Sequence, residues 1–216
     1  MDESQLIEQL KAVSFPTLGH FLEEGFADPQ LRAMVPNVKV VGRALTLKLL
    51  GADAIAVNRA LAQIRPGDVL VIDTGGDHRH APVGAVTSCA ARFAGAVGIV
   101  VDGAVTDLLE LREAGLPVFA RGTSLLTTKL HGHGDSAVNQ PIHCAGVTVQ
   151  PGDWVLADDN GVLFLDTASA LAVIEQARSE ASACSMTASA AAVSRNNTPL
   201  SSASTQSPGC TVTPAQ

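Results

Sequence analysis

The run Val97-Gly-Ile-Val-Val101 carries no polar side chain, and it constrains the chain more than any other feature. A strand with one wet face alternates apolar and polar residues, whereas an unbroken apolar run is typical of a strand covered on both faces. The strand ends at Asp102-Gly103, and its neighbours can cover it. Ala85 to Phe93 reads as a helix before it. Asp107 to Ala114 reads as a helix after it, stopped by Gly115, with Pro117 restarting extended chain to Ala120. Strand, helix and strand in that order make a βαβ unit, so the fold class is α/β.

The flanking elements follow the same rules. Leu6, Ile7, Leu10 and Val13 fall at helical spacing; Pro16 interrupts, and Thr17 caps a second helix through Phe26. Val38 to Leu50 alternates and is rich in β-branched residues, as a strand is, and Asp53 to Ile64 reads as a helix. Pro66-Gly-Asp-Val-Leu-Val-Ile-Asp73 recurs as Pro151-Gly-Asp-Trp-Val-Leu-Ala-Asp158, each a turn feeding an apolar strand that ends in aspartate. The echo suggests two related β-layers in one domain, and a shared turn solution accounts for it equally. Ala168 to Cys184 forms a closing helix. The domain therefore spans 1–184, and 185–216, rich in Ser, Thr, Ala and Pro, is expected to be a disordered tail, because such residues bury too little surface to offset chain entropy.

Composition excludes several classes. A net charge of −7 gives no footprint for nucleic acid, whose phosphates require clustered Lys and Arg. No stretch is apolar enough to cross a bilayer, and the acidic start MDESQ is the reverse of a secretion signal, so neither a membrane nor an export route is expected and the cytoplasm is the default. Cys89, Cys144, Cys184 and Cys210 form no CxxC pair and read as free thiols, with Cys144 on an apolar strand as core. There is no P-loop, no GxSxG and no Rossmann fingerprint.

Three loops at strand ends carry polar chemistry, which is where α/β folds place ligands. The first runs from Asp73 to Gly84: its glycines let backbone N–H groups approach an anion, Arg79 offers a fork for a carboxylate, and His78 and His80 stand beside it. The second is Asp102-Gly-Ala-Val-Thr-Asp107. A carboxylate here suits a hard divalent cation; alternatively Thr106 or Asp107 caps the next helix, Asp107 with Glu110 having the spacing of a capping box. The third, Lys129 to Asp135, holds an HxH pair, His131 and His133, which suits a transition metal or an exposed loop.

These segments together resemble one family. PGDVLVID with GG, then Arg79 and Gly84, GIVVDGAVTD, LPVFARGTS and GVTVQPGDWVLADDNGVLFL are similar, in order over roughly 15–166, to the RraA-like family. That family includes metal-dependent 4-hydroxy-4-methyl-2-oxoglutarate aldolases, which also decarboxylate oxaloacetate, and the regulator of ribonuclease E activity. The resemblance implies a swivelling β/β/α-type domain assembling as homotrimers or hexamers, with a small 2-oxo acid as partner. It implies a divalent cation, Mg²⁺ or Mn²⁺, at Asp107, with Asp102 ending the strand beside it, and substrate held at Gly84, Ala85, Val86, Thr87 and Thr106. Thr106 stands where the aldolases carry arginine, and Ala85 where they carry an acid. Three readings follow: a metal-dependent lyase in which Arg79, His78 or His80 replaces the arginine, another small-molecule activity on the same scaffold, or a non-catalytic regulatory member that binds protein.

Overall fold

The computed structural model describes residues 2–130, 132 and 135–179. Its compact unit is Met1–Ala177. The expected tail at 185–216 lies outside the described residues, as do His131 and His133 of the third loop.

Four parallel strands form the centre: β2 (Lys39–Lys48), β3 (Asp68–Asp73), β4 (Gly98–Val105) and β5 (Val118–Thr123). A short β1 (Arg32–Ala33) pairs antiparallel with β5. On the other side β9 (Trp154–Asp158) pairs antiparallel with β2, and β10 (Gly161–Leu165) with β9, giving the order β1-β5-β4-β3-β2-β9-β10. β6 (Ala137–Val138) touches the end of β2, and β7 (Ile142–Cys144) with β8 (Val147–Val149) makes a separate hairpin. The helices are α1 (Glu3–Ala12), α2 (Phe15–Leu18), α3 (Ala54–Leu61), α4 (Ala85–Ala94), α5 (Leu108–Ala114) and a closing α6 at 167–179.

The apolar runs are covered on both faces, as their lack of alternation requires. Leu70 and Ile72 of β3, with Ile99 and Val101 of β4, pack against Ala56, Val57 and Ala60 of α3, Ala91 of α4 and Leu111 of α5. Their alternates Val69, Val71 and Val100 face the β7–β8 hairpin through Ile142, Cys144 and Val149. A third apolar group joins α1, α2 and α6 to Trp154, Leu156 and Leu163. The result is a mixed α/β single domain.

Several expectations are corrected. The second helix is one turn, not a run to Phe26: Pro16 sits in its first turn, where the missing N–H costs nothing, Ser14 rather than Thr17 precedes it, and Gly19 ends it. The echoed PGD segments do not build two layers, because β3 and β9 lie on either side of β2 in one sheet. What they share is the turn. Gly67 and Gly152 both have positive φ, and Asp68 and Asp153 each accept the N–H three residues back, from Arg65 and Gln150. Finally, β4 does not stop at Asp102 but runs to Val105 through an irregularity between Val101 and Ala104.

Candidate functional site

The extension of β4 decides where the polar residues go. Asp107 follows the strand in a left-handed conformation (φ 54°, ψ 47°) and precedes α5, yet its side chain caps nothing there. The capping box with Glu110 is absent. Instead the carboxylate reaches across to the start of α4, where Oδ2 accepts the Ala85 N–H at 2.9 Å and Oδ1 lies 3.3 Å from the Thr106 hydroxyl. Gly84 makes this possible: a Cβ there would lie 2.5 Å from Asp107 Oδ2 and 2.7 Å from Thr106 Cγ2. Gly84 is also the N-cap of α4 and offers no side chain to its first turn. The N–H groups of Val86 and Thr87 have no intrahelical partner, as the geometry of a helix start dictates. Gly84, Ala85, Val86, Thr87, Thr106 and Asp107 therefore come together, with Asp107 exposed.

Asp102 is placed elsewhere. Being inside β4, it aligns with Asp73 of β3 and projects toward the β7–β8 hairpin. Arg121 Nε donates to its Oδ1 at 2.5 Å and the Ala145 N–H to its Oδ2 at 2.6 Å. Asp73 likewise takes the N–H groups of Gly75 and His143. These two carboxylates thus fasten the hairpin, and Arg121 extends the network to Asp28 at 3.2 Å. With the Arg121 guanidinium already neutralising its charge, Asp102 is a poor seat for a cation. Cys144 is buried, and burial, reinforced by the charges of Asp102 and Asp73, pushes its thiol far up, so it is core and not a nucleophile.

The first loop is ordered by Asp77. Its Oδ1 accepts the N–H groups of Arg79 and His80, and its Oδ2 lies 2.6 Å from His80 Nδ1. Burial pushes the Asp77 carboxyl up, but these backbone and imidazole hydrogen bonds outweigh it and hold it below its ordinary value. Gly103 lets the loop lie on β4, since a Cβ would meet Asp77 O at 3.1 Å and Thr74 Cγ2 at 2.8 Å. Ser124 Oγ donates to Arg79 O at 2.6 Å, and Val83 bridges to Val105. His78 and the Arg79 side chain are exposed. His78 and His80 therefore do not act as a matched pair, because Asp77 claims one ring. In the third loop, Gly132 N–H reaches buried Asp53, the N-cap of α3. Among the described residues no group of three or more His, Cys, Asp or Glu side chains is arranged to hold a metal.

Sequence reasoning passed over Asp77 and Arg121. Asp77 was visible as an aspartate three residues before a histidine in a glycine-rich loop. Arg121 was visible as the charge next to an apolar strand run, PVFA.

Comparison with known proteins agrees with this architecture. The family model RraA-like, described as Aldolase/RraA, matches residues 5–164. A protein of Halalkalibacterium halodurans, named as a candidate 4-hydroxy-4-methyl-2-oxoglutarate aldolase, is 35% identical over 148 residues, covering 68% of this chain and 70% of its own. An Arabidopsis thaliana protein of the same name is 35% identical over 151 residues, covering 67% of this chain and 89% of its own. Among solved structures, the RNA-processing inhibitor RraA from Thermus thermophilis superposes with a TM-score of 0.63 at 32% identity, covering 70% of this chain and 92% of its own. Streptomyces coelicolor RraAS2, an unusual member of the RNase ES inhibitor RraA family, gives 0.73 at 25% identity, covering 87% and 98%.

Proposed function

The chain belongs to the RraA-like family, and on that premise we propose that it is a lyase acting on a small 2-oxo acid. It cleaves substrates of the 4-hydroxy-4-methyl-2-oxoglutarate type with release of pyruvate, and decarboxylates oxaloacetate at the same site. The observation that carries this reading is Asp107. A left-handed backbone at a non-glycine residue is uncommon and collects at functional sites. Here it aims a carboxylate at a helix N-terminus cleared by Gly84.

The parts have separate duties. The N–H groups of Val86 and Thr87, at the positive end of the ten-residue α4, bind the substrate carboxylate. Asp107 would hold Mg²⁺ or Mn²⁺, and a single exposed carboxylate fits a cation that takes most of its remaining oxygens from water and substrate. When bound, the cation supplies positive charge that favours electron density on the keto oxygen as the carbon–carbon bond breaks. Arg79 replaces the arginine that Thr106 lacks: its loop is pinned beside β4, and its guanidinium is exposed for a second carboxylate. Asp102 serves the hairpin rather than the cation.

The assembly is a homotrimer or hexamer. Val86 and Phe93, about two helical turns apart on α4, are 84% and 97% exposed, and Leu109 and Leu125 are also exposed. Another copy covering these groups would also screen the α4 N-terminus from bulk water.

Thr106 and Ala85 favour a second reading, a non-catalytic regulatory member that binds protein; the Thermus relative is named an RNA-processing inhibitor. Assaying wild-type protein and Asp107→Asn on a panel of 2-oxo acids decides between them. The lyase reading predicts pyruvate release that drops about 100-fold in the variant with the fold intact. The regulatory reading predicts no turnover by either protein.

A further inference from the structure

His80 is the one described imidazole in the loops of the site with a carboxylate bound to its ring. Asp77 is fixed by two backbone N–H groups and meets His80 Nδ1 at 2.6 Å. An ionised carboxylate only accepts, so Nδ1 carries the proton and Nε2, on the far side of the ring, is the basic atom. The ring is half-exposed, with 31% of its side chain open to solvent. The loop is held to the ends of β4 and β5 by Gly103, Ser124 and the bridge between Ala81 and Thr127. From His80 the chain runs through that bridge and the Val83–Val105 bridge to Gly84, the start of α4. Four residues span at most about 14 Å, so the His80 backbone lies within that distance of the α4 N-terminus, where the six-carbon acid is anchored.

Resting on the lyase reading above, we propose that Asp77 and His80 form the acid–base pair of this site. Nε2 takes the proton of the substrate's tertiary hydroxyl. The freed O–H electron pair becomes the carbonyl of one pyruvate while the C3–C4 bond breaks. The C3–C4 pair remains on the other fragment as pyruvate enolate, and the imidazolium returns the same proton to C3. Atoms and charge balance, and no oxidant or reductant enters. Asp77 is the positioning residue, holding the tautomer and stabilising the imidazolium.

Oxaloacetate decarboxylation separates this role from mere architecture, because that substrate has no hydroxyl proton to remove. With wild-type protein, His80→Asn and Asp77→Asn, both reactions are followed with the metal added. The ratio of cleavage to decarboxylation turnover should fall about 100-fold in His80→Asn and in the same direction in Asp77→Asn. Free imidazole should restore cleavage to His80→Gly. A ratio unchanged in His80→Asn, or no imidazole rescue, overturns the pair while leaving the lyase reading in place. A wild-type protein inactive in both reactions removes that reading, and the pair falls with it.

Discussion

Asp107 occupies a backbone region that costs an L-residue roughly 1–2 kcal/mol, though aspartate and asparagine bear it better than most. Such strain persists only where the surroundings enforce it, here through the Ala85 N–H and the gap left by Gly84. Asp107→Asn keeps the tolerated backbone and loses the charge, so its melting temperature should stay close to that of wild type while metal-dependent turnover collapses. Gly84→Ala tests the same point from the other side. Gly84 has φ −139°, open to any residue, so the backbone is not strained; the added Cβ instead strikes Asp107 Oδ2. Turnover should fall with little loss of helix, and a variant with wild-type turnover would contradict the role given to the carboxylate. Arg79→Ala should raise KM, because the guanidinium is assigned to the substrate's second carboxylate. The Asp77 carboxyl is held low in the folded state, so its contribution to stability is present above the unfolded carboxylate range and is lost as pH falls through the lower folded value. Thermal melts from pH 6 to pH 3 should therefore show a smaller acid-induced drop in Asp77→Asn than in wild type.

At the scale of elements, charge as well as apolar contact fixes the β7–β8 hairpin over Asp73 of β3 and Asp102 of β4. Removing one partner of a largely buried ion pair strands the other, so Arg121→Met should cost about 3 kcal/mol and speed amide exchange at Ala145, whose N–H depends on Asp102. Unchanged exchange there would detach the pair from the hairpin. These elements also show what the sequence disclosed. The parallel centre was legible because Leu70 to Ile72 and Ile99 to Val101 lack any polar face. Helices α3, α4 and α5 were legible because Asp53, Gly95 and Gly115 mark their ends. The course of β4 past Asp102 was not, since it depends on Gly103 lying against Thr74 and Asp77, residues nearly thirty positions away. The role of Asp107 was hidden for a related reason: Asp107 and Glu110 fit a capping box, and only the fold reveals α4 as a competing N-terminus.

At the scale of the molecule, no described helix is long and apolar enough to cross a membrane. Among the exposed apolar residues, Val86 and Phe93 lie on α4. If copies associate there, Phe93→Glu should lower the mass seen in sedimentation and depress turnover with it, and a full-mass, fully active variant would separate assembly from the site. The central claim, however, concerns chemistry. It is tested most directly by measuring pyruvate released from 4-hydroxy-4-methyl-2-oxoglutarate by the wild-type chain, with Mg²⁺ or Mn²⁺ and again with chelator. The lyase account predicts saturable release that chelation abolishes and added metal restores. No release above the uncatalysed rate from a folded, metal-supplemented protein would contradict it.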